Sequence, residues 1–78
     1  LNKALVKTLD TFAKGEKGII EDVSLDEIPL KLIEMGCLPN SEVTLLQIAP
    51  FGDPLYFSIN DAHVAIRKDT AKHILAKL

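Results

Sequence analysis

Cysteine is almost absent: Cys37 is the only one among 78 residues, so no internal disulfide can form and the stapled architecture of small secreted domains is excluded. A lone thiol fits a reducing compartment. Long apolar runs are missing as well. Hydrophobic residues make up 47% of the chain, but Lys, Glu, Asp, Gly and Pro break them into short stretches, far below the roughly 20 residues a membrane helix needs. No basic segment followed by an apolar stretch opens the chain, and Leu1 stands where a methionine would begin an intact protein; a trimmed start, a soluble chain and a cytoplasmic location are the expectations. A basic stripe is lacking too. The net charge is −2 with acids and bases interspersed, which argues against nucleic acid as a partner.

Catalytic and metal-binding patterns are equally scarce. No serine or cysteine sits in a nucleophile elbow, and residues 15–18 lack the length and the Lys-Ser/Thr ending of a phosphate loop, so no enzymatic activity is expected. Zinc-type sites pair their ligands closely, whereas His63, His73 and Cys37 are far apart and none has a second ligand nearby; no cofactor or bound metal is expected. Asp53, between Gly52 and Pro54, reads as the cap of its own turn, and Arg67 as the partner of an internal carboxylate.

What is present is a series of short apolar runs arranged around residues 32–43. Ile28, Leu32 and Met35 recur at helical spacing, with Leu30 and Ile33 widening the stripe. Gly36 is the expected stop, because glycine takes the left-handed conformation that closes a helix at no steric cost. Asn40 after Pro39 suits a further turn with positive φ. At the other end Ser24 with Glu27 makes a capping box, while Asp26 as cap would leave Pro29 in the first turn. Proline deeper in a helix clashes with the preceding carbonyl, so the helix is expected from Asp26 or later to Met35.

Residues 1–13 fit either a helical turn or an extended lead-in. Gly15 and Gly18 read as turn residues before a strand at residues 19–23, in which Glu21 and Asp22 fall on opposite faces. Residues 42–49 predict the longest strand, apolar on one face through Val43, Leu45 and Ala49 and on the other through Leu46 and Ile48, with both faces partly covered. Residues 50–54 form a corner bracketed by prolines. Residues 55–59 and 62–67 alternate about Asn60 and Asp61, which predicts a tight hairpin. A helical turn capped by Asp69 and a last strand at residues 74–78 complete the chain. About five short strands with one helix inserted after the first predict a mostly β (small α+β) domain, a closed or nearly closed barrel spanning residues 1–78 as one unit. Self-association by strand addition is open to residues 74–78 if that strand lies at an edge.

Leu38, Leu46, Ile48, Phe51 and Tyr56 exceed what one small barrel can hide. Either the helix and the N-terminal segment cover them, or some form an exposed patch of the kind that marks an interface.

Three stretches, residues 32–43 (LIEMGCLPNSEV), 49–54 (APFGDP) and 64–71 (VAIRKDTA), together resemble the signature blocks of the ferrous iron transport protein A (FeoA) family, in the same order and spacing across nearly the whole chain. Two positions depart from the family pattern. Asn40 stands where glycine is usual and still suits the turn, and Lys31 stands where arginine is frequent, which changes bidentate binding at the helix surface. The resemblance implies an SH3-like β-barrel with a helical insertion. It also implies a non-enzymatic accessory of the bacterial ferrous iron transporter FeoB, binding its cytosolic GTPase region. On this reading the helix end and the corner form one ridge, with Met35, Leu38 and Phe51 as apolar anchors and Pro39 and Asp53 beside them. The alternative is an excised regulatory domain of an iron-dependent transcriptional repressor, since similar SH3-like modules are appended to such proteins.

Overall fold

The computed structural model describes residues 5–78, so expectations resting on Leu1 and its three successors lie outside the described range. Six strands make one antiparallel sheet: β1 (Val6–Thr8), β2 (Lys17–Val23), β3 (Glu42–Ile48), β4 (Leu55–Ile59), β5 (Ala62–Ile66) and β6 (Ile74–Lys77). Their order is β1-β6-β2-β3-β4-β5. A 3₁₀ turn, Leu9–Thr11, follows β1. Helix α1 (Leu30–Glu34) joins β2 to β3, and α2 (Lys68–Ala71) joins β5 to β6.

The N-terminal segment thus realises both of its readings, an extended lead-in and then a helical turn, and its strand raises the count from five to six. The helical insertion accordingly follows the second strand. The condition for strand addition at residues 74–78 is not met: β6 pairs with both β1 and β2, so the open edges of the sheet among the described residues are β1 and β5.

Alternation places Leu45, Leu55, Phe57, Ile59, Ile66 and Ile74 inside, all essentially inaccessible, with Leu9, Phe12, Leu32 and Cys37 closing the core. Phe12 meets Phe57 edge-on at 6.2 Å. Two bulges explain where simple alternation fails. In β2 the register shifts between Ile20 and Asp22, and the extra residue lets Glu21 and Asp22 both face solvent while Ile20 and Val23 stay buried. In β3 the shift lies between Leu45 and Gln47, which makes Leu46 the extra residue and sets Ile48 opposite buried Leu55; at 38% and 39% exposed, Leu46 and Ile48 are partly covered, as expected. Gly18 is likewise not a turn residue but lies within β2, opposite Val43.

Pro29 sits one position outside α1, with ψ 139, and no side chain caps that end. Proline biases Ile28 away from helical backbone, so neither Ser24 nor Asp26 can start the helix upstream. Leu30, expected on the buried stripe, is exposed. The other end follows the sequence closely. Gly36 has φ +102, the Cys37 N–H donates to Leu32 O at 3.0 Å and the Gly36 N–H to Ile33 O at 3.1 Å, which is the Schellman pattern with buried Leu32 and Cys37 as its apolar contact.

Candidate partner-binding surface

The corner at residues 50–54 is built by short backbone bonds. The Gly52 N–H donates to Ala49 O at 2.7 Å and the Ala49 N–H to Pro54 O at 3.1 Å, with Gly52 at φ +88. These bonds leave no inward direction for the intervening side chain, and Phe51 stands 99% exposed. Asp53 does not cap its own turn. Its Oδ1 accepts the Lys68 N–H at 2.9 Å, so it caps α2 from across the corner, and Asp69, the expected cap, makes no capping bond. This bond ties the corner to the end of β5.

Beside the corner, the outer face of the sheet carries Tyr56. Tyr56 pairs across the sheet with Gln47 on one side and Ala65 on the other, beside the bulged Leu46. Leu46, Ile48 and Tyr56 keep 38%, 39% and 41% of their surface exposed, and Ile48, opposite buried Leu55, lies on the other face from Tyr56. Arg67 lies two residues beyond Ala65, on the same side as Tyr56 by strand alternation. Among the described residues it has no ion-pair partner, contrary to the expectation of an internal one. Lys68 adds a second cation, its Nζ 3.5 Å from where a Cβ on Gly52 would stand. This end of the sheet thus carries exposed Phe51 and Tyr56, the cations Arg67 and Lys68, and the Asp53 carboxylate.

Met35, Leu38 and Pro39 lie elsewhere. Ser41 Oγ donates to Gly36 O at 2.7 Å, Asn60 Nδ2 donates to Ser41 Oγ at 3.1 Å, and the Glu42 N–H donates to Asn60 Oδ1 at 3.0 Å. This network fastens the end of α1 to the β4–β5 turn, where Asn60 and Asp61 have φ 50 and 70. The corner joins the opposite end of β4. Leu55 and Ile59 are four strand steps apart, about 13 Å, so the helix end and the corner lie at opposite ends of β4. Phe51 and Asp53 share the corner surface, while Met35 lines a separate groove of about 310 Å³ with Lys31, Leu32, His63, Val64 and Ala65. Asn60 is a turn former whose side-chain amide is also the link between these elements, a role that strand alternation does not reveal.

Cys37 is buried, and burial pushes its thiol up to about 11. His73 lies 3.9 Å from Glu27, remote in the fold from His63 on the edge strand. Among the described residues no three of His, Cys, Asp and Glu converge as metal ligands would.

The six-stranded antiparallel sheet with its short helices is a small SH3-like domain. The FeoA domain model matches residues 7–78. The chain therefore belongs to the FeoA family, non-catalytic accessory domains of ferrous iron transport. It is 35% identical, over 48 residues, to the Fe(2+) transport protein A/Fe(2+) transporter FeoB fusion protein of Porphyromonas gingivalis, a match spanning 62% of this chain and 6% of that protein. Its structure is similar to the crystal structure of an iron uptake regulatory protein (FeoA), with TM-score 0.80 and 28% identity, covering 95% of this chain and 99% of that one. Stenotrophomonas maltophilia FeoA, a prokaryotic SH3 domain protein crystallised with zinc, gives TM-score 0.74 and 26% identity over 88% of this chain and 87% of its own. The fold also recurs in T. acidophilum IdeR, with TM-score 0.80 over all of this chain and 36% of that one; at 14% identity the likeness shows the fold alone.

Proposed function

We propose that this domain is an accessory of a FeoB-type ferrous iron transporter and docks through its corner surface onto the transporter's cytosolic GTPase region. The observation that carries the reading is the Porphyromonas gingivalis relative, in which a FeoA-like segment and a transporter are one protein. Two parts fused in one organism are natural partners as separate chains in another. Phe51, fully exposed on a loop held by backbone bonds, supplies the anchor, with Tyr56 as the exposed aromatic of the adjoining strand. Docking brings the domain to the cytosolic face of the membrane and gives it a means of biasing nucleotide turnover or opening.

The test is calorimetric titration of this chain against the purified GTPase region of the same organism's transporter, with and without guanine nucleotide and Fe²⁺. Saturable binding is expected. Phe51→Asp should weaken it by roughly 30-fold or more, the loss of one central aromatic anchor, while Leu38→Asp at the far end of β4 should leave it within a few-fold. Absence of saturable heat, or equal affinity for the parent and Phe51→Asp, would overturn the proposal.

A further inference from the structure

The second open surface is the outer edge of β5. Its backbone polarity follows from the register. The Asn60 N–H donates to Glu42 O, so Asn60 and every second residue before it in β4 turn their backbone groups towards β3. Leu55, Phe57 and Ile59 then bond to β5, where their partners are Ile66, Val64 and Ala62. The two-residue Asn60–Asp61 turn requires the same closing pair, Ile59 with Ala62. The N–H and C=O groups of His63 and Ala65 therefore point away from the sheet, and among the described residues no backbone group accepts from or donates to them.

These unpaired groups do not face open solvent alone. His63 and Ala65, with Val64, line one side of a groove of about 310 Å³, and Lys31, Leu32 and Met35 of α1 and its C-terminal end supply the rest of the lining. No acid lines the groove. Lys31 has no ion-pair partner among the described residues, and Glu34, the nearest acid along α1, lies outside the lining.

We propose that this groove takes a short extended segment of a partner protein, bearing at least one acidic side chain, by strand addition to β5. The backbone of such a segment bonds to His63 and Ala65, an apolar side chain enters between Leu32 and Met35, and a carboxylate meets Lys31. Two outward residues set the length, since they offer at most four backbone hydrogen bonds and match about three residues of partner. A second copy of this chain is the poorer occupant. Its groove offers Lys31 and His63 again and supplies no acid from its walls. The groove adjoins the corner surface at Ala65, which pairs with Tyr56, but it uses none of Phe51, Asp53 or Lys68, so the proposal stands without the docking mode described above.

The test is an amide NMR titration of the full chain with two capped pentapeptides, Glu-Val-Thr-Val-Glu and Lys-Val-Thr-Val-Lys. The acidic probe should shift the His63 and Ala65 amides most, slow their hydrogen exchange, perturb the Met35 methyl, and bind about tenfold more tightly than the basic one. Lys31→Glu, an exposed change, should reverse that preference. Ala65→Pro, which removes an outward N–H on an edge strand, should weaken the acidic probe by about tenfold. If that variant does not fold, the Lys31→Glu reversal decides alone. Unmoved His63 and Ala65 amides with either peptide, or equal affinity for the two, overturn the proposal. Protection of these amides with rising protein concentration and no peptide replaces the extended segment by a second copy, and overturns it too.

Discussion

Gly18 offers the sharpest test of the packing described above, because its glycine is required by space and not by backbone conformation. A Cβ at that position would lie 2.9 Å from the Lys77 carbonyl oxygen and 3.2 Å from both Leu78 Cδ2 and Phe12 Cζ. The oxygen belongs to β6, which pairs with β2 at Ile19 and Lys77, so it cannot retreat without loosening that ladder. Phe12 cannot move freely either, since its ring meets Phe57 at the centre of the core. Overpacking of this kind costs about 1–3 kcal/mol. Removing a glycine from the unfolded chain returns about 0.4–1 kcal/mol. Gly18→Ala should therefore destabilise by about 1–2 kcal/mol, a fall in Tm of about 5–15 °C for a domain of this size. Thermal and urea melts followed by circular dichroism measure it. Gly15→Ala is the contrast: nothing lies within 4 Å of its Cβ, and its cost comes from φ +89 alone. A double-mutant cycle between Gly18→Ala and Phe12→Leu should show coupling, whereas Gly15→Ala with Phe12→Leu should be additive. A Gly18→Ala protein that melts at or above the parent temperature would refute the reasoning.

Asp53→Ala should lower stability by about 1 kcal/mol, the worth of a helix cap, and speed exchange of the Lys68 amide, with Asp53→Asn keeping most of the loss back. Asp69→Ala should change the melt by less than about 0.5 kcal/mol, and a larger effect there than at Asp53 would contradict the capping assignment. For Cys37, alkylation by iodoacetamide at pH 8 should be slow in the folded protein and fast in urea. Its thiol ionises near 9.0 when unfolded and about 11 when folded, so the unfolded chain releases that proton first. The stability contributed is thus complete below about pH 9 and is lost as pH rises towards 11, and the gap in urea midpoint between the parent and Cys37→Ala should narrow across that window.

Much of the local structure was legible in the order of residues. The Gly36 stop, the left-handed Asn40, the Asn60–Asp61 hairpin and the corner between two prolines all rest on backbone preferences that act within a few positions. The list of apolar residues too many to bury was legible as well, and Leu38, Leu46, Ile48, Phe51 and Tyr56 are all exposed. Their grouping was not. Met35 and Phe51 looked like one ridge because both lie in turn-rich blocks, yet β4 holds those blocks at its opposite ends.

The sequence by itself determined where the chain turns and which residues prefer the interior, because φ preferences and hydrophobic spacing are local. Tertiary structure alone decided which turns meet. Hydrogen bonding between distant strands set the bulges that turn Glu21 and Leu46 outward, placed β6 inside the sheet and left β5 as an edge. It also gave Asp53 a helix end 15 residues away to cap. Those outcomes depend on pairing across the fold, where backbone groups separated by many residues compete for one another, and no window of neighbouring residues contains that competition.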